Sequence, residues 1–405
     1  SVRSRVQSSS SPPKDRGRPP KTVSVFILPF EYHNRNCPKG NVNHAAIPFL
    51  LPAGSIERSV RQERTPMKNV AIVFLFALLA CPIMSYGQTP PASPSPQSPA
   101  LVEKSRDSYE GRVWRLDATD VTALPRNFRT TDMTFRPVEK KYLQEIDAAY
   151  IPSRQGLSQL HASGSAQFTE KQLQALADVL TKKATGPVYI VDLRQESHGF
   201  ANGIPISWYG PRDWGNIGKN RHAVLRDEKD RLHHTIGQAI TLYQQGKDDA
   251  LLPVQTLMVN RVQTEKELVQ EAGLHYYRIT ATDHLWPRPE TIDRFVRFVQ
   301  SLPPQAWLHF HCEAGMGRTT AFMNMYDMMK NPSVPLKDIL YREYEIGGNY
   351  TAHTVFHPSP SDWKGPYYNE KSRMIRLFYQ YVQENYQTNF ARSWSSWLKV
   401  HETEK

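Results

Sequence analysis

At 405 residues, 39% of them hydrophobic, the chain is long enough for two or three domains and a sizeable core. Its formal charge of +11 is unevenly placed: residues 1–87 hold 12 Lys and Arg against 4 Asp and Glu, so the remainder is nearly neutral, which argues against a nucleic-acid-binding face. Of three cysteines only Cys312 lies beyond that leader, and loss of the leader excludes an intrachain disulfide.

Residues 1–66 contain no Met and show no sustained periodicity; Ser8–Ser11 and two Pro pairs read as a disordered or non-native leader, with translation expected to start at Met67. Met67-Lys68-Asn69 opens a short basic segment, and Val70–Ala80 is an apolar run of 11 residues. That run is too short for a bilayer span and suits a signal peptide over 67–87, so the protein is expected to be exported, periplasmic or secreted. Leu78-Leu79-Ala80-Cys81 also resembles a lipoprotein cleavage box, which would put a lipid anchor on Cys81. Residues 88–107 read as a linker, stiff and Pro-rich over 88–100.

The folded part is expected to occupy 108–405. Val113–Leu116 reads as a short strand. Thr169 caps a helix that sets Leu173, Leu176, Ala177 and Leu180 on one face, and a buried strand follows over 188–193. Gly, Pro, Trp and Asn make 199–219 a loop region, and 214–272 reads as a small insertion with a helix near 228–243 and β-like segments around 251–264. A strand over 274–279, a helix carrying Ile292, Phe295, Val296 and Val299, and a strand ending near Phe310 give an α/β rhythm. Beyond them come a helix with Phe322, Met325, Tyr326 and Met329 on one face, another over 335–346 stopped by Gly347-Gly348, and a long one burying Ile375, Phe378 and Val382.

The strand ending near Phe310 and the helix after it enclose His311-Cys312-Glu313-Ala314-Gly315-Met316-Gly317-Arg318-Thr319. A glycine-rich loop leading into a helix N-terminus turns its backbone N–H groups of Glu313, Ala314, Gly315, Met316 and Gly317 toward an anion, and the helix dipole adds positive charge. Arg318 can grip two phosphate oxygens at once. The same field favours a thiolate at Cys312, and Thr319 can hydrogen-bond to the sulfur or the phosphate. A buried structural cysteine beside a glycine turn is the plainer reading; it leaves the arginine and hydroxyl spacing unexplained. Asp283, in a loop with Trp286 and Pro287 just after a strand, is the candidate acid for the leaving alkoxide. His309-x-His311 has the look of a metal pair, but no third ligand is evident in the sequence, and no metal or cofactor is expected.

His-Cys-x5-Arg-Thr resembles the protein-tyrosine-phosphatase signature. The wider set resembles the PTP-like phytases from about Val113 to the C-terminus: Leu124-Pro-Arg-Asn-Phe-Arg-Thr130, Asp192-Leu-Arg-Gln-Glu-Ser-His-Gly199, Trp208-Tyr-Gly-Pro-Arg-Asp-Trp214, Asp283-His-Leu-Trp-Pro287, Trp307 through Thr320, Asp338-Ile-Leu-Tyr-Arg342 and Glu345-Ile-Gly-Gly348. The resemblance implies a phosphatase-like α/β core sheet flanked by helices, with a small partial β-barrel beside it. It implies metal-independent, stepwise hydrolysis of inositol hexakisphosphate, with Asp283 as general acid and His311 organising the loop. Substrate contacts map onto Arg115, Asp213, Lys364, Tyr368 and Lys371. The expected partner is therefore a small-molecule inositol polyphosphate, with no nucleic acid and no stable membrane span apart from the signal peptide or a lipid anchor. Asp248-Asp249 replaces the family's His-Lys pair, and two carboxylates there would repel a polyphosphate. Alternatives are a phosphotyrosine or phosphoinositide phosphatase and, from another class, a non-catalytic phosphate-binding module.

Overall fold

Side chains alternate along β4 (Val188–Arg194) between two apolar layers: Val188 and Ile190 join Phe168, Leu173, Leu176 and Leu180, whereas Val191 and Leu193 join Phe295, Phe310, Phe322 and Ile375. A strand buried on both faces belongs inside a helix-covered parallel sheet. In this computed structural model, which describes residues 112–119, 123–246, 250–357, 359 and 361–403, β4 sits inside such a sheet. The expected leader, signal peptide and linker, Cys81 and the pair Asp248-Asp249 lie outside the described residues.

The strands β2 (Arg129–Thr130), β3 (Ala162–Ser165), β4, β10 (His275–Ala281) and β11 (Trp307–His311) form that sheet in the order β10-β4-β11-β3-β2. Strands β10, β4, β11 and β3 are parallel, and only the edge strand β2 runs antiparallel, to β3. Parallel strands end on one edge, so the residues that follow β3, β4, β10 and β11 converge there, where ligands of open α/β sheets bind.

Helix α1 (Glu170–Lys183) covers one face, opened by a reciprocal capping box between Thr169 and Gln172. α4 (Pro289–Ser301), α5 (Gly317–Lys330), α6 (Leu336–Glu345) and α7 (Gly365–Asn385) contribute to the other apolar layer. α5 is buried on all sides from Arg318 to Met329, not on the single face its periodicity predicts. The terminal helix α8 (Trp394–Thr403) is an element the sequence reading lacked; it inserts Trp394 and Trp397 against Phe378 and Tyr381.

A second sheet has the order β8-β7-β1-β6-β5-β9, from β1 (Val113–Leu116), β5 (His198–Ala201), β6 (Ile204–Tyr209), β7 (Ala239–Gln245), β8 (Leu251–Met258) and β9 (Val262–Gln263). Its apolar side, with Ile206, Ile240, Leu242 and Val259, packs on Leu232 of α2 (Arg221–His234). Two expectations change here. Residues 198–209 form a hairpin, not a loop: Asn202 and Gly203 both take positive φ (51° and 82°), the geometry of a two-residue turn matched to strand twist. The helix expected near 228–243 lies at Arg221–His234, because Asn220 caps it and Gly237, at φ 77°, turns the chain into β7.

Among the described residues, one buried acid in this scaffold lacks a side-chain hydrogen bond. Both oxygens of Glu343, on α6, are buried without a hydrogen bond. Burial, reinforced by Asp327 and opposed by Arg129 and Arg342, pushes its pKa up to about 8. A raised folded-state pKa contributes stability below the unfolded value near 4.5 that is lost as pH rises toward 8. Glu343→Gln, which stays neutral, should therefore raise the melting temperature more at pH 8.5 than at pH 5, by about 1–3 kcal/mol in stability. Equal shifts at both pH values would refute this account.

Candidate active site

The loop between β11 and α5 is built from behind. Gly315 takes φ 71°, and a Cβ there would stand 2.3 Å from the backbone nitrogen of Ala166, so only glycine lets the loop lie this close to the end of β3. Buried Arg129 donates from Nη1 to the Gly315 carbonyl at 2.7 Å and from Nη2 to Thr320 Oγ1 at 3.1 Å. The loop carbonyl is thus tied inward. Asn127 holds the Ala314 carbonyl in the same way, through Nδ2 at 2.8 Å.

Cys312, Arg318 and Asp283 line one cavity of about 160 Å³, together with Ala314, Met316, Gly317, Tyr368 and Lys371. The Thr319 hydroxyl donates to Cys312 Sγ at 3.2 Å. Arg318 is locked on one side. Its Nη1 and Nη2 reach the two carboxylate oxygens of Glu196 at 2.7 and 3.0 Å, and Nη1 also donates to the Ala281 carbonyl at 3.2 Å. That leaves Nε–H and one Nη2–H, the side-on fork that suits two phosphate oxygens. Asp283 Oδ1 lies 3.1 Å from Arg318 Nε. Burial pushes the Asp283 carboxyl up, but the Arg318 guanidinium together with His284 holds the group below the ordinary carboxylate range. Trp214 Nε1 donates to the Asp283 carbonyl at 2.9 Å and so anchors the acid's main chain.

Burial, with Arg318 and Lys364 nearby and Asp283 opposing, depresses Lys371 to about 8; a cation crowded by cations favours an anion as neighbour. Arg115 and Asp213 meet at 3.1 Å and line an adjoining cavity of about 510 Å³ with Asp283, Glu313 and Lys364. Burial raises Asp213 to about 7, with Glu196 and Asp283 adding to the effect and Arg115 opposing it. Of Glu313 and Gly315 only the backbone N–H groups are expected to act. Glu313 turns its carboxylate to Arg126 at 3.3 Å, and Gly315 faces β3 behind the loop.

His311 lies beneath the loop, its Nε2 2.6 Å from Oε1 of Glu265, the first residue of α3 (Glu265–Glu271). Burial, with Asp192, opposes ionisation of Glu265, yet His311 and His198 together bring its pKa down to about 2. His309 instead holds Ser163 and Ser165 through its two ring nitrogens, at 2.9 and 3.0 Å. The fold brings His311 the third donors that the sequence did not reveal: ligand atoms of Asp192, Glu265 and His311 lie within 4.8 Å of one another. Their negative charge is already met. Asp192 Oδ2 accepts from Arg278 Nη1 at 2.7 Å and from the Tyr276 hydroxyl at 2.6 Å, and His198 Nε2 is 3.1 Å away. We read the group as a buried ionic network supporting the loop.

Sequence reasoning missed Glu196, Glu265, Arg129 and Trp214 as working residues. Glu196 had a legible signal: it follows a buried strand, where the parallel order points toward the site. A chain of alternating charges runs from it to the second sheet, through Arg194 (2.7 Å), Asp117 (2.8 Å), Arg115 (2.9 Å) and Asp213 (3.1 Å).

A PTP-like phytase family model, described as inositol hexakisphosphate, matches residues 191–330. A PTP-like phytase structure from Bdellovibrio bacteriovorus is 31% identical, covering 71% of this chain and 94% of its own, with a TM-score of 0.56. The chain belongs to the PTP-like phytase family. Two structures from Mitsuokella multacida are also similar to this phytase-family chain. A tandemly repeated PTP-like phytase is 48% identical with a TM-score of 0.69, over 75% of this chain and 52% of that one. A PTP-like myo-inositol phosphatase in complex with myo-inositol-(1,3,4,5)-tetrakisphosphate is 47% identical with a TM-score of 0.67, over 74% and 52%. This phytase-family chain thus spans about half the length of each Mitsuokella chain.

Proposed function

We propose that the protein hydrolyses phosphate monoesters of inositol polyphosphates, inositol hexakisphosphate among them, through a phospho-cysteine intermediate. The observation that carries this is the single cavity shared by Cys312, Arg318 and Asp283. The tetrakisphosphate-bound Mitsuokella neighbour supports the substrate class.

In the first step Cys312 Sγ attacks phosphorus while the bond to the inositol oxygen breaks. Asp283 delivers its proton to that oxygen. A bound phosphate takes the side-on fork of Arg318, which weakens the guanidinium's hold on Asp283, and its own charge raises the carboxyl further; both changes favour the protonated acid. In the second step Asp283, now a carboxylate, takes a proton from water as the water oxygen attacks phosphorus and the sulfur leaves as thiolate. Thr319 donates to that sulfur, while the loop amides and Arg318 stabilise the charge on the equatorial oxygens. Lys364, Tyr368, Lys371 and Arg115 hold phosphates that are not being cut. The apolar run at Val70–Ala80 supports an exported enzyme.

The test is phosphate release by the purified protein from inositol hexakisphosphate, from a phosphotyrosine peptide and from a phosphoinositide, with and without EDTA. Faster turnover of the hexakisphosphate, unaffected by EDTA, is expected. Preference for the peptide or the lipid would overturn the substrate assignment, and no turnover of any would leave only phosphate binding.

A further inference from the structure

Arg212 and Asp213 sit side by side in the left-handed region, at φ 60° and 63°. A residue with a Cβ is strained there, and two in succession persist only where the surroundings hold them. For Asp213 the consequence is its pairing with Arg115. For Arg212 it is a guanidinium placed over two indoles, 5.2 Å from the Trp214 ring centroid and 4.6 Å from that of Trp363. A guanidinium held beside ring faces by cation–π attraction can still offer its N–H edges to an anion. Among the described residues, no hydrogen bond or ion pair is made by those edges.

The side chain lines the cavity of about 510 Å³ that adjoins the cradle. Each acid of that cavity is matched to a different cation: Asp213 to Arg115, Asp283 to Arg318, and Glu313 to Arg126. Among the described residues, Arg212 and Lys364 are left with no acid of their own, and Lys364 Nζ lies 5.2 Å from the centroid of the same Trp363 ring. Two cations mounted on one indole, at the wall of a cavity opening beside the nucleophile loop, form a receptor for a second anion.

We infer that Arg212 is a specificity-determining residue: it binds a phosphate of the substrate other than the one in the cradle, and so favours polyphosphates over monophosphates. This rests on the function proposed above and goes beyond it, because it assigns the selection to a strained arginine on two indoles. The backbone strain is the cost of aiming that side chain.

Arg212→Gly is the informative variant, since glycine adopts φ 60° freely. Its kcat/KM on inositol hexakisphosphate should fall about tenfold or more at low salt, as expected for lost charge-assisted hydrogen bonds, and at least severalfold more than on p-nitrophenyl phosphate. The gap should narrow as salt screens the interaction. The melting temperature should stay within a few degrees of the parent's, because relieved strain offsets the lost stacking. Arg212→Lys, which keeps the charge without the planar fork, should recover part of the selectivity. Equal losses on both substrates, or none on the hexakisphosphate, would overturn the inference while leaving the proposed function standing. A parent enzyme that cleaves p-nitrophenyl phosphate but not the hexakisphosphate would overturn both.

Discussion

Cys312→Ser is expected to lower phosphate release by about 10⁴-fold or more while substrate binding survives. The reason is local. The loop amides, the Arg318 fork and the Arg129 brace behind Gly315 do not involve the sulfur, so the cradle should keep its shape. A serine hydroxyl in the same place is far harder to ionise than a thiol, and the Thr319 hydroxyl that donates to sulfur cannot make up the difference. Phosphate-release assays and calorimetric titration with inositol hexakisphosphate on the same preparation would check both halves. Unaltered release in the serine variant would defeat the phospho-cysteine mechanism. Lost binding together with a lost melting transition would point to misfolding instead, and Cys312→Ala then repeats the test with a different side chain.

Asp283→Asn should reduce kcat by about 10²–10⁴-fold, and by less where the leaving group needs no proton. The substitution is nearly isosteric, and Trp214 holds the main-chain carbonyl of residue 283, not its side chain, so the loop should remain in place. Inositol alkoxides are poor leaving groups and p-nitrophenolate a good one, so the loss should be much larger on the inositol substrate. Equal losses on the two would show that residue 283 does not protonate the leaving oxygen. The pH profile gives a second reading. Arg318 and His284 together keep Asp283 ionised over the neutral range despite burial, so kcat/KM should rise as pH falls toward the carboxylate range. Asp283→Asn removes the titrating group and should flatten that slope.

These expectations draw unequally on sequence and on fold. The nucleophile loop was legible in the chain because its parts are contiguous: a strand, Cys312, two glycines, Arg318, Thr319 and a helix follow one another, so chemistry and local structure share one stretch. The Asp283 loop was legible through its neighbours Trp286 and Pro287 and the strand before it. The hairpin at 198–209 was missed because Gly199, Pro205 and Ser207 blur its alternation, although Asn202-Gly203 marks its turn. The Arg221–His234 helix was misplaced because few apolar side chains mark its buried face: Val224 and Leu232 share that face with Glu228.

The chain by itself thus made legible the candidate centre, an α/β core around it and the helix N-terminus behind the loop. Each depends on residues within a few positions of one another. Only the tertiary structure decided what holds that centre: Glu196 clamping Arg318, Glu265 meeting His311 and Arg129 bracing Gly315. Buried charges must be paired wherever the fold brings them together, and most of these partners come from segments far apart in the chain. No local pattern records such a pairing, because its energy comes from shared removal from water and not from neighbouring backbone geometry.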